Sequence, residues 1–592
     1  MQRKDISIQY TFDLTTIYPD NQSFTADFDK VSRLKEDLKQ AKDSFTINSD
    51  NFYAFLKNQD EYSKLLEKLY TYCHLACDVE PENQELQSLM AKVMAFANQG
   101  NVELNFIDLK IIEASETING YLSEDRFASY RYAIKEIIKF KEHLLSEENE
   151  QLIAQFDAIS SLSSKVFDSI RFDYEPVEIN GKKEFLNAAT LTRFLKNKDR
   201  NVRKQAYHNF FQEYRKFENT FATTLAGIMK KDAIYAKIRK FDSPLGASVY
   251  HDDVPEDLFF KILEMANVKY RPLFHQYNSL KKELLDLDEL CNYDLNIPLV
   301  NTSDYKVKVD DAFEIIKTAL APLGKDYLKI IEKSKDERWI DFYPHEKKRA
   351  GAYSGGSYLT KPFILMNYVD DYNSLSTLIH ELGHSVHSYL SNSNQEYINS
   401  SYRIFVAEVA STVNETLLIN HMIANAKTPE QKAYFIYEQL ENCVGLLFRQ
   451  PMYGEFEYLL HQKAAADEPL SSKTITELYA KLSQEYFGEE VKLDGLTGHS
   501  CYYIPHFYYN FYVYKYTLGM TVALAIVKRI LDGDKGQVAS YLEFLKSGGS
   551  MSPVDLLKIA HVDPLDDGIY NDAFSYFENL LQQFKETMHE KK

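Results

Sequence analysis

The chain has 592 residues, 45% of them hydrophobic, with 87 acidic against 68 basic side chains and a net charge of −19. That surplus of negative charge disfavours nucleic acid and anionic membranes as partners, and the length exceeds one ordinary core, so two or more lobes are expected. No apolar run approaches the roughly 18 residues of a membrane span, and no apolar segment of signal-peptide type follows Met1-Gln2-Arg3-Lys4-Asp5-Ile6, so the expected location is the cytoplasm.

Residues 25–170 show long runs of helical period, rich in Leu, Lys, Glu and Ala. Within them Cys73-His74-x-x-Cys77 has no second Cys/His pair nearby and reads as packing cysteines rather than a metal clip. The five scattered cysteines suit a reducing compartment, and Cys501 near the end of the chain is a candidate oxidation-sensitive thiol. Pro176 and the Asn180-Gly181 hairpin signal interrupt the helices. Helices resume from Ala188 to Ile238, break at residues 242–246, and return from Val254 to Leu287 and from Val309 to Lys333. A boundary near residue 195 divides a mostly helical N-terminal lobe, 1–195, from a catalytic domain, 196–592. There is no fixed-period repeat and no low-complexity linker, so the lobes are expected to pack together along a cleft.

Pro362 precedes Phe363-Ile364-Leu365-Met366, a short apolar run of strand type. Gly351, Gly355 and Gly356 allow tight turns before it. An extended peptide could add to such a strand edge through its main chain, which would place Gly351, Ala352 and Tyr353 against substrate and give broad specificity.

The next segment carries the chemistry. His380-Glu381-Leu382-Gly383-His384 is an H-E-x-x-H pentad on a helix whose apolar stripe is Leu375, Leu378, Ile379, Leu382 and Val386. His380 and His384 lie one turn apart on one face, where two imidazoles can grip one zinc ion. Glu381, rotated about 100° along the helix, cannot share that position but can reach a metal-polarised water, which is the general-base position. His387 returns to the same face, but its rise of roughly 10 Å from His380 is too great for one ion, so it is expected behind the ligands or facing substrate. A third ligand is sought in the following helical run. Glu408 sits amid Val406, Ala407, Val409 and Ala410, and Glu415, seven residues on, shares its face. One carboxylate would ligate and the other would orient a histidine N–H.

These segments together resemble the thimet oligopeptidase family, and within it the oligoendopeptidase F branch. The resemblance rests on four ordered motifs: Gly351-Ala352-Tyr353-Ser354-Gly355 with Pro362 to Tyr368; His380 to His387; Phe405-Val406-Ala407-Glu408-Val409-Ala410-Ser411 with Asn414-Glu415; and Ile504-Pro505-His506-Phe507-Tyr508-Tyr509-Asn510-Phe511-Tyr512-Val513-Tyr514. It implies a mainly α, two-lobed clamshell around a deep channel, with a small β-sheet beside the zinc helix. It implies one zinc ion per chain on His380, His384 and Glu408, with Glu381 as base. His506 and a tyrosine from Tyr508, Tyr509, Tyr512 and Tyr514 would contact substrate and stabilise the oxyanion, with Tyr509 and Tyr514 favoured. This chain has Tyr503 where family members often carry Arg. The implied activity is hydrolysis of internal bonds in short unfolded peptides. A zinc carboxypeptidase of similar helical fold and a non-catalytic peptide-binding protein are the competing readings. Oligomeric state is left open by the sequence.

Overall fold

The structure, a computed structural model, describes residues 3–301 and 305–590. Helices dominate, and the strands among the described residues are short and fall into three small sheets. The mainly α expectation therefore holds. The chain forms two compact units, each drawn from three chain segments. The first comprises Met1–Glu142, Asp304–His421 and Ile526–Asp563, and the second His143–Ser303, Met422–Ala525 and Pro564–Lys592. Leu195, at the boundary read from the sequence, ends the helix Ala188–Leu195 inside the second unit.

In the first unit, helices Asn21–Gln40, Ser49–Val79 and Gln84–Glu103 enclose an apolar core that runs from Phe12 to Ile134 and takes in Phe363 and Leu365. Phe363 meets Phe12 edge-to-face at 5.7 Å, so a strand from the middle of the chain is anchored by the N-terminal helices. That strand is central in a three-stranded sheet. β1 (Ile340–Asp341) runs parallel to β3 (Phe363–Leu365), and β2 (Tyr353–Gly355) runs antiparallel on its other side, with Tyr353 opposite Leu365 and Gly355 opposite Phe363. All three residues of β3 are buried, as a short apolar run predicts, and β2 is an edge. Gly351 before β2 has φ +86°, a left-handed conformation that a side chain would strain.

Helix α1 (Tyr372–Asn394) follows the sheet. Asp371 caps it by accepting from the Ser374 N–H at 2.8 Å. Its buried face contains Leu375, Leu378, Ile379, Leu382 and Val386, the stripe read from the sequence. The Ser354 and Ser385 hydroxyls, 2.8 Å apart, tie β2 to α1, so the small sheet does lie beside this helix. Helix α2 (Ile404–Ala424) crosses α1. Asn414 stitches the pair, donating from its amide to the Ile379 carbonyl at 3.2 Å and accepting from the Tyr327 hydroxyl at 2.8 Å.

The second unit is built from amphipathic helices that include Arg200–Lys216, Glu218–Ile238, α3 (Gln450–Ala465) and α4 (Ser472–Phe487). Asn180 and Gly181, at φ 52° and 75°, turn the expected hairpin between Val177–Ile179 and Lys182–Glu184. Leu290–Cys291 pairs in parallel with Val491–Lys492, a long-range pairing without a local sequence signal. All five cysteines are free and buried. Burial raises the Cys501 thiol well above its ordinary value, so the reactive role considered for it is not supported.

Candidate active site

α1 presents His380 and His384 one turn apart, and α2 brings Glu408 to meet them. His380 Nε2 and His384 Nε2 are 3.2 Å apart, and each lies 3.6 Å from Glu408 Oε2. These three are the only group of three or more potential metal-ligating side chains among the described residues. Their separations can be compared with a zinc coordination shell. Zn–N and Zn–O bonds of roughly 2.0–2.2 Å at tetrahedral angles give ligand-to-ligand edges of about 3.3–3.5 Å. The observed triangle matches.

Electrostatics agree with that fit. His380 is held up at about 9: burial opposes its charge, but a hydrogen bond and charge from Glu415, with Glu381 and Glu408 beyond, outweigh burial. His384 is pushed down to about 4 by burial and then by the charge on His380. Glu408 Oε2 and Glu415 Oε1 lie 3.6 and 3.4 Å from the two ring nitrogens of His380, carboxylate oxygens that suit a dication held beside the ring. Glu415 Oε1 lies 3.4 Å from His380 Nδ1, the ring nitrogen turned away from the ligand triangle, and so fixes the ring. The Ser411 hydroxyl donates to Glu408 Oε2 at 3.0 Å and steadies the carboxylate.

Glu381 is one residue along from His380 and only 7% exposed. Burial pushes its carboxyl up to about 7; His380 opposes this and Glu408 adds to it, while the Ser354 backbone N–H helps to hold it. A carboxyl titrating there can both take and return a proton near neutrality.

His387 behaves differently. It is fully buried, stacked on Tyr402 with ring centroids 3.6 Å apart, and neither ring nitrogen has a hydrogen-bond partner among the described residues. Burial pushes its imidazole down to about 3, so it stays neutral. The substrate-facing alternative for His387 is therefore corrected: seven residues rotate it under α1, against Tyr402 and Phe544. Gly351, Ala352 and Tyr353 lead into the β2 edge as expected, but the Tyr353 hydroxyl is committed to Asp78 at 2.7 Å.

His506 and the candidate tyrosines belong to the second unit. His506 is half-buried, which lowers its pKa. Its ring centroid is 5.7 Å from Tyr509, 6.3 Å from Tyr512 and 6.0 Å from Tyr516. The four tyrosine candidates separate by environment. The Tyr508 hydroxyl is 2.8 Å from that of Thr224. Tyr514 is 1% exposed and donates to Asp252 at 3.2 Å. Tyr514 is thus corrected to a packing residue, because it opens a helix and points inward. Tyr509 is 56% exposed and Tyr512 half-buried, and these two flank His506. Asn510 and Phe511 adopt φ of 48° and 55°, a left-handed conformation that Asn tolerates and a bulky Phe rarely adopts. The buried Glu457 carboxylate holds the turn by accepting from the Phe511 N–H at 2.6 Å.

Sequence reasoning missed the residue that lets the two ligand helices meet. A Cβ on Gly383 would fall 2.7 Å from Ala410 O and from Ser411 Cα. The residue immediately before His384 gave no metal-ligand signal, although a glycine inside a helix is itself a hint of close packing.

A model of peptidase family M3 matches residues 193–576, and a second, described as Oligopeptidase F, matches residues 114–171. The chain belongs to peptidase family M3. The M3 chain is 36% identical to "Oligopeptidase PepF" of Bacillus subtilis (strain 168), over 99% of this chain and 88% of that protein. It is 31% identical to the "Oligoendopeptidase F homolog" of Borreliella burgdorferi, over 99% of each. Among solved structures, a putative peptidase from Chlamydophila abortus superposes with a TM-score of 0.94 at 30% identity, covering 99% of both chains. Oligoendopeptidase-F from Enterococcus faecium gives 0.72 at 28% identity, covering 96% of this chain and 99% of that one. As an M3 peptidase the chain is a metalloendopeptidase with peptide substrates. None of its described helices is long and apolar enough to cross a membrane.

Proposed function

We propose that this M3 chain is a zinc-dependent oligoendopeptidase that hydrolyses internal bonds of short unfolded peptides. The observation that carries the reading is the ligand triangle, 3.2–3.6 Å on each side, with the buried Glu381 beside it. His380, His384 and Glu408 would hold one zinc ion. When bound, zinc supplies Lewis acidity, polarising a carbonyl and acidifying water. Glu381 takes the proton of the attacking water and returns it to the leaving amine, for which a carboxyl near 7 is suited. Glu415 holds His380 in the tautomer that keeps Nε2 free to ligate. The family resemblance assigns oxyanion donation to His506 and a neighbouring tyrosine, and Tyr509 and Tyr512 are the ones beside it. A phenol is a suitable donor because it keeps its proton at neutral pH.

The test is cleavage of an end-blocked, internally quenched short peptide by the wild type, by Glu381→Gln and by chelator-treated protein. Cleavage by the wild type is expected to fall roughly 10²–10⁴-fold in the variant while its zinc content stays near one per chain. Cleavage that survives both treatments would refute the mechanism. A zinc-loaded wild type that cuts only peptides with free ends would instead identify an exopeptidase.

A further inference from the structure

The second unit contains a cavity of about 220 Å³ whose lining has one formal charge, Arg449, and no Asp or Glu. In a chain of net charge −19 that combination is unusual. Arg449 makes no hydrogen bond or ion pair among the described residues, and its Nε is buried without a partner. Glu441, whose charge reaches Arg449, is already engaged by Lys281 at 2.9 Å and by the Tyr277 hydroxyl. One further lining group also lacks a partner: Ser483 is fully buried with an unsatisfied Oγ, and the half-buried Asn296 lines the same cavity. Buried polar groups are normally satisfied, and two unsatisfied ones, Arg449 Nε and Ser483 Oγ, on one cavity describe the complement of something that accepts hydrogen bonds.

Local backbone supports the same reading. Arg449 ends a π-helical turn, Val444–Arg449, inserted between two helices. Such turns are uncommon and recur at functional sites because they re-aim a side chain. The rest of the cavity is largely apolar and aromatic, including Phe211, Phe487 and Ile504. Ile504 is two residues before His506.

We propose that this cavity is a carboxylate-binding site that takes the C-terminal residue of a short peptide. The planar guanidinium would grip the carboxylate in bidentate fashion, Asn296 and Ser483 would add donors, and the apolar wall would take a bulky side chain. This deepens the oligopeptidase reading and rests on it for the identity of the ligand as peptide. A preference for a nearby free C-terminus would favour short chains over long ones.

Binding can be measured without turnover, on the full chain after chelation. The probes are acetyl-Ala-Ala-Phe as the free acid, the same peptide as its C-terminal amide, and inorganic phosphate. Hydrogen bonds to a charged group predict about 10–100-fold tighter binding of the acid than of the amide. That ratio is expected to collapse to about 1 in Arg449→Gln and to survive in part in Arg449→Lys. Equal binding of acid and amide by the wild type, or a ratio unchanged in Arg449→Gln, overturns the proposal. Phosphate that displaces the acid peptide at equal or lower concentration also overturns it, because the cavity then serves free anions. If Arg449→Gln does not fold, Asn296→Ala is the second variant, with a several-fold loss confined to the acid probe; no loss there counts against the site. A protein that binds the acid selectively but leaves the end-blocked substrate uncut would sink the endopeptidase reading and spare this one.

Discussion

Gly383→Ala tests whether the ligand triangle depends on how closely α1 and α2 approach. The added methyl would lie 2.7 Å from Ala410 O, 2.7 Å from Ser411 Cα and 2.8 Å from Ser411 N. Carbon contacts settle at about 3.5–4.0 Å, so the helices must separate locally by roughly 0.7–1 Å. The obstructing atoms are backbone and cannot rotate away. Overpacking of this kind costs about 1–3 kcal/mol. Glu408 sits on α2 within one turn of Ser411 and moves with it, and a metal site tolerates only about 0.2 Å in its ligand distances. Zinc affinity is therefore expected to fall roughly 10–100-fold, as when an orienting partner is lost. Competition with a chromophoric chelator measures the affinity, and thermal melts of the apo protein separate packing loss from metal loss. Gly120→Ala, where a Cβ meets nothing within 4 Å, is the control and should bind zinc normally. A folded Gly383→Ala protein with wild-type zinc affinity would refute the reasoning.

Two further predictions address the His506 region. Tyr512→Phe is expected to lower kcat by about 10²–10³-fold with KM nearly unchanged if its hydroxyl stabilises the transition state, whereas Tyr514→Phe should leave kcat intact and cost about 1 kcal/mol of stability through the lost bond to Asp252; the reverse pattern in steady-state kinetics would reinstate Tyr514. The buried Glu457 carboxyl is raised to about 7 by burial, partly opposed by His461 and the Phe511 N–H, from an ordinary 4.5, so the folded protein holds this proton more tightly than the unfolded chain. Its contribution is fully present below about pH 4.5 and is lost as pH rises through about 7, on the order of 3 kcal/mol at most. Glu457→Gln keeps an acceptor for the Phe511 N–H and should flatten stability between pH 5 and pH 8, read from urea melts; an unchanged slope would show that the group does not control it.

The proposed zinc ligands on α1 were legible because helical spacing is local. His380 and His384 share a face by the 3.6-residue period alone, and Glu381 is excluded from that face by the same arithmetic. The stripe on α1, the buried β3 strand and the Asn180-Gly181 turn follow from equally short-range rules. Glu408 and Glu415 were visible as carboxylates in an apolar run, but periodicity could not say which one ligates, since both lie on one face of α2. The choice depends on where α2 crosses α1, and that is fixed by Gly383, Asn414 and the Ala410–Ser411 backbone. The burial of His387 and the inward turn of Tyr514 were likewise decided by tertiary packing, because Tyr402 and Asp252 reach them from other segments.

The same division accounts for Arg449. By itself the sequence determined a helical chain, a metal-binding pentad and the class of chemistry, because those depend on residue type and spacing within a turn or two. Only the tertiary structure decided which carboxylate meets the two histidines, which tyrosines flank His506 and that Arg449 Nε has no hydrogen-bond partner among the described residues, because each is a distance between atoms on different elements.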